Sequence, residues 1–146
     1  MLHIQGAREQ WETDTSYLCV PRTLELKMCE LEEFVFHERP VSSITYVKYY
    51  DQSNTLQTLS TDVYALDTAK RKLSLKYMQA FPGVLTRWDA VTVRYVAGDT
   101  FCSPMAKRAM LMLIGYYFEQ RGDNDRAYDL RAYQKIRDRF ERPSYP

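Results

Sequence analysis

The sequence predicts an α+β fold: short antiparallel β strands and hairpins packed with C-terminal α-helices, ending in an extended helical C-terminal tail. Apolar and polar residues alternate with period two in several short stretches between Pro21 and Gly98. The period changes to that of a helix at Pro104, and a second amphipathic helical stretch follows Gly122. The chain has 146 residues, 45% of them hydrophobic and 14% aromatic, close to the usual size of one domain. Such a chain buries roughly 70% of the surface it exposes when unfolded, which excludes disorder of the whole. A core domain is expected over residues 1–122 and a helical tail over residues 123–146.

Residues 7–16, AREQWETDTS, predict a short helix at best, stopped by Thr13, Asp14, Thr15 and Ser16, whose side chains compete for backbone hydrogen bonds. After Pro21, Leu24, Leu26 and Met28 alternate with Thr23, Glu25 and Lys27, and Phe34 and Phe36 repeat the alternation, so both stretches predict strands. Ser42 to Tyr50 is rich in β-branched and aromatic residues. Asp51-Gln52-Ser53-Asn54 then supplies turn chemistry before Thr55 to Leu59, which predicts a hairpin. Short strands are expected at Tyr64 to Leu66 and Leu73 to Leu75, and a longer one at Ala90 to Val96, closed by Gly98. Ser103-Pro104 predicts a helix start, with serine as N-cap and proline where its missing N–H costs nothing. That helix is apolar nearly all round and is expected to be buried on most sides, stopping at Gly122. Asp123 or Asn124 is positioned to cap a last helix running to about Phe140, which Pro143 and Pro146 cannot continue.

Charge is divided unevenly along the chain. Residues 1–69 carry 5 basic and 11 acidic side chains, and residues 70–146 carry 15 basic and 8 acidic, although the whole is only +1. The division offers complementary faces for neighbouring copies, or a basic surface for nucleic acid or an acidic partner; ordinary solvated surface is the alternative. Cys19, Cys29 and Cys102 are odd in number and far apart, without CxxC spacing, so neither a disulfide framework nor a zinc site is indicated and a reducing compartment is expected. The N-terminus lacks the charged-then-apolar pattern of a secretory signal. The longest uncharged apolar run, Ala109 to Phe118, has ten residues, against the ~20 that span a bilayer, so no membrane helix is expected.

The chain contains no GxSxG, HExxH, GxxxxGK[ST] or GxGxxG and only two histidines, His3 and His37, which disfavours an enzyme and indicates no cofactor. His37 reads as a strand-end histidine bonded to a neighbour rather than as a base. Glu30, Glu32 and Glu33 read as solvated carboxylates, since no histidine or distant aspartate completes a metal cage. Lys70, Arg71, Lys72 and Lys76 surround Leu73 and Leu75; they read either as guards of an exposed strand edge or as contacts to phosphate or a neighbouring copy. Tyr116, Tyr117, Tyr128 and Tyr133 have helical spacing beside aliphatic residues, which favours packing over base stacking. In the last helix Arg131, Lys135, Arg139 and Arg142 fall on one stripe, while Leu130, Tyr133, Ile136 and Phe140 fall on the other side. These eight residues are the candidate partner-binding set.

RPVSSITYVKYYD (Arg39 to Asp51), Tyr64-Ala65-Leu66-Asp67, WDAVTVRYVAGD (Trp88 to Asp99), and then Pro104, Lys107, Ala109, Leu113, Tyr117 and Arg121 form an ordered set. In order and spacing it resembles the head-tail connector (adaptor) family of tailed bacteriophages, over about residues 7 to 122. The resemblance implies a structural virion protein without catalysis. It implies a ring, expected to be twelve-membered, beneath the portal protein, extending the DNA channel toward the tail. It also implies contacts with neighbouring copies and a downstream tail or neck protein, and non-specific passage of DNA. Members of that family begin with more helix ahead of the AREQWE-like segment, and in connectors of this kind the C-terminal region commonly docks into the portal, a role that would fall on residues 123–146. Another phage neck or tail-completion protein, or a small nucleic-acid-binding regulator using the basic stripe, are the other readings.

Overall fold

In the computed structural model, which describes residues 2–120 and 130–141, every period-two stretch becomes an antiparallel strand and every 3.6-period stretch a helix. The expected stop Gly122, the expected caps Asp123 and Asn124, and also Tyr128 and Arg142, lie outside the described residues. The elements run α1 (Leu2–Thr15), β1 (Arg22–Met28), β2 (Phe34–Val35), β3 (Val41–Tyr50), β4 (Leu56–Thr58), β5 (Tyr64–Asp67), β6 (Lys72–Leu75), β7 (Val91–Ala97), α2 (Pro104–Glu119) and α3 (Arg131–Glu141). They form two compact units, a helical one drawn from both ends of the chain (1–20 and 99–146) and a sheet unit spanning Pro21–Gly98.

In the sheet unit, β7 lies at the centre of a four-stranded sheet ordered β1-β7-β3-β4. Val91, Val93, Tyr95 and Ala97 are its buried face, and the register sets Leu24, Leu26 and Met28 of β1 opposite Tyr95, Val93 and Val91. Two irregularities in β3, between Val41 and Ser43 and between Ile44 and Tyr46, shift its register along β7. The expected hairpin is β3–β4, and Asp51 builds its turn by accepting the backbone N–H groups of Ser53 and Thr55, each at 2.9 Å, while Asn54 takes a φ of 59°. A second sheet is ordered β2-β6-β5, and Phe36, just after β2, lies 4.5 Å from the ring of Tyr95 and so joins the two sheets. Because β6 has partners on both sides, Lys72 does not guard an exposed edge. Gly98 ends β7 at a φ of 120°, a conformation that costs glycine little.

In the helical unit, α1 starts at Leu2, five residues earlier than expected from Ala7. The added turn rests on α2, where His3 stacks on Tyr117 (centroids 6.5 Å apart) and Gly6 faces the same ring. Ala7, Trp11 and Thr15, spaced by four, are the buried stripe of α1. The stop falls where expected. The Thr15 hydroxyl donates to the Trp11 carbonyl at 2.7 Å, and Ser16 turns into the left-handed region at φ 55°. α2 begins with Pro104 as expected, but the Ser103 side chain makes no cap hydrogen bond; its carbonyl accepts the Lys107 N–H at 3.0 Å. The expectation that α2 is buried on most sides is corrected. Only Ala106, Ala109 and Leu113 are buried, on the side that meets α1 and α3, whereas Leu111 is 66% and Phe118 58% exposed.

Candidate functional site

The site grows from the aromatic centre of the helical unit. Trp11, fully buried, meets Phe140 and Tyr133 edge to face with centroids 5.0 and 6.2 Å apart, and Phe140 makes the same kind of contact with Tyr17 at 5.1 Å. The Tyr133 hydroxyl donates to the Asp14 carboxylate at 2.6 Å. Burial, and then this bond to Asp14, pushes the Tyr133 phenol well above its ordinary range. Tyr17, held up by burial and by donation to Asp99, shows the same shift. Its oxygen also accepts the Ser103 N–H at 3.3 Å, so one phenol ties the exit of α1 to the entrance of α2.

The predicted apolar side of α3 is therefore used inside the chain. Tyr133 is only 4% exposed, and Leu130, Ile136 and Phe140 pack against the same core. The basic side divides as its stripe requires: Arg131, Lys135 and Arg139 are exposed on α3. The eight candidate residues thus include an internal anchor and an outward cationic ridge.

Three of the four cations near β6 are occupied within the sheet unit. Lys72 pairs with Glu33 at 2.5 Å, Lys76 donates to the Thr61 carbonyl at 2.8 Å, and Arg71 donates to the His37 carbonyl at 3.3 Å, while Lys70 is exposed on the turn. The Lys72 ammonium and the Leu75 N–H hold the Glu33 carboxyl below its ordinary range, which places Glu33 in an ion pair rather than in an acidic trio.

Exposed apolar side chains went unpredicted. On α2, Leu111 and Phe118 are seven residues apart and share one side of the helix, with Lys107 and Arg108 exposed a turn before. In the sheet unit, Tyr77 (90% exposed), Met78 and Trp88 stand out along the connection between β6 and β7. The signal for the second group was a stretch with neither helical nor strand periodicity; the first was hidden because a helix apolar all round does not say which side its own chain covers. Among the described residues, no helix is long and apolar enough to cross a membrane.

No family profile and no curated protein matches the chain. Solved structures do. A chain in the neck of a native gene transfer agent particle, computed with C12 symmetry, superposes with a TM-score of 0.75 at 17% identity, covering 94% of this chain and 79% of that one. A chain in the neck of the empty particle, computed with C6 symmetry, gives 0.74 at 16% identity over 94% and 74%. A chain in the virion of the native gene transfer agent gives 0.74 at 15% identity over the same shares. Across nearly its whole length, this chain has the fold of proteins found in the neck of a gene transfer agent particle.

Proposed function

We propose that this chain is a structural virion protein of a phage neck, a head-tail connector that forms a ring and catalyses no reaction.

 The observation that carries the reading is the fold shared over 94% of the chain with neck proteins solved as symmetric particles, and the ordered connector-like residues from Arg39 to Arg121 support it. The ring is twelve-membered, sits beneath the portal, extends the DNA channel toward a downstream tail or neck protein, and works in the virion after assembly in the host cytoplasm. Head-to-tail closure needs two different faces on each copy. Leu111 and Phe118 of α2 supply an apolar one, which a neighbouring copy covers. The ridge Arg131, Lys135 and Arg139 faces acidic groups of the portal, with Arg142 extending the stripe in sequence. The channel needs no base-reading motif, because DNA must slide through it.

Electron microscopy of the chain with and without its cognate portal tests the reading. Closed rings on the portal are the expected result. Copies that stay monomeric and ignore the portal overturn it, and salt-sensitive DNA binding by such monomers would favour the regulator instead. Replacing Arg131, Lys135 and Arg139 together by Glu is expected to weaken portal binding while the helical unit stays folded, since all three side chains are exposed.

A further inference from the structure

Cys19 and Cys102 are 83 residues apart in sequence, yet their sulfur atoms lie 2.9 Å apart. Both belong to the helical unit, Cys19 at the exit from its N-terminal segment and Cys102 just ahead of α2. The two backbone segments are already tied together on either side of the pair. The Asp99 N–H donates to the Leu18 carbonyl at 3.0 Å, and Tyr17 bridges Asp99 and the Ser103 N–H. A disulfide sets its sulfurs about 2.05 Å apart, so closing the bond asks for a shift of under about 1 Å. Cys29 is exposed in the sheet unit, where its sulfur contacts the Trp88 carbonyl at 3.9 Å.

We propose that Cys19 and Cys102 are a redox modification site, which a small-molecule disulfide such as oxidised glutathione converts into an intramolecular disulfide. Cys102 is the more accessible of the two, Cys19 being buried, so the first exchange falls on Cys102. Its thiolate attacks one sulfur of oxidised glutathione, the S–S bond breaks, and one glutathione leaves as thiolate while the other stays on Cys102 as a mixed disulfide. Cys19 then loses its proton to solvent and attacks the Cys102 sulfur, expelling the second glutathione. In sum, two protein thiols are oxidised to one disulfide and one oxidised glutathione is reduced to two glutathiones. Burial by itself raises the Cys19 thiol above its ordinary range, so its attack is expected to be the slower of the two steps. The bond would clamp the base of the helical unit, and it does not depend on the neck reading.

The test uses the full chain, reduced and then exposed to oxidised glutathione, followed by alkylation under denaturing conditions and peptide mapping by mass spectrometry. The expected product has only Cys29 alkylated of the three free cysteines, a cross-link joining the Cys19 and Cys102 peptides, and a higher thermal midpoint than the reduced chain. Cys29→Ser is expected to keep the cross-link, and Cys102→Ser to lose both it and the rise in midpoint. Alkylation of all three thiols, glutathione retained on Cys102, or a bond that involves Cys29 would each overturn the proposal. The wild-type peptide map decides the matter even where Cys102→Ser fails to fold.

Discussion

Trp11 is the largest fully buried side chain among the described residues. It is fully buried against Tyr133 and Phe140, so Trp11→Ala is expected to cost about 3–5 kcal/mol, read from urea unfolding. Its indole N–H is buried and has no hydrogen-bond partner among the described residues. Trp11→Phe removes that donor along with some packing and is therefore expected to cost clearly less than the alanine variant. Tyr17, Tyr95 and Tyr133 make a pH prediction. All three are raised first by burial, and each also donates to a carboxylate, of Asp99, Glu38 and Asp14 respectively. A folded value above the unfolded one gives stability that is fully present below about pH 10 and is lost as pH rises beyond it, because the unfolded phenols ionise first. Alkaline titration followed by tyrosinate absorbance should show late-ionising phenols, and Tyr133→Phe should remove one of them. An early, uniform titration would contradict these environments.

At the scale of elements, α3 is part of the core around Trp11. The sequence shows its two sides, and the packing of Tyr133 and Phe140 on Trp11 shows that the apolar one is used within the helical unit. Each large side chain withdrawn from that core forfeits roughly 1.5–3 kcal/mol, against about 5–15 kcal/mol for a whole domain. A chain ended after Gln120 is thus expected to lose cooperative unfolding of the helical unit. Trp11 fluorescence, followed in a Trp88→Phe background because Trp88 is exposed, should shift to the red. An unshifted spectrum would mean that α1 and α2 suffice. Periodicity makes elements legible but leaves their partners open. The alternation of Val91, Val93 and Tyr95 marks a strand, whereas only the pairing of β7 with both β1 and β3 makes it the central one.

At the scale of the whole molecule, the acidic first half and the basic second half do not coincide with the two compact units. The helical unit takes acidic α1 from one end and the basic tail from the other, ten basic and ten acidic residues in all, and the sheet unit has ten basic and nine acidic. Opposite charges from the two halves meet inside the sheet unit, as Arg94 does with Glu25 at 3.0 Å and Lys72 with Glu33. Exposed pairs are worth about 0–1 kcal/mol and are screened beyond about 8 Å at physiological salt. The proposed contacts between neighbouring copies, as distinct from the cationic ridge on the portal, are therefore expected to change little between low salt and about 1 M salt, because apolar contacts of the kind Leu111 and Phe118 would make scarcely feel screening. Sedimentation or micrographs across that range check this, and rings that dissolve in high salt would restore the electrostatic account.

The sequence by itself determined the α+β class, the order of the strands and helices, the Asp51 turn and the two sides of α3. Each of these follows from local periodicity or from a side chain bonding its own backbone. Tertiary structure alone decided that α1 extends to Leu2, that α2 leaves Leu111 and Phe118 exposed, that Tyr133 completes the core, and that Cys19 meets Cys102. These are contacts between residues distant in the chain, and period and propensity carry no information about which distant surface will cover a given face.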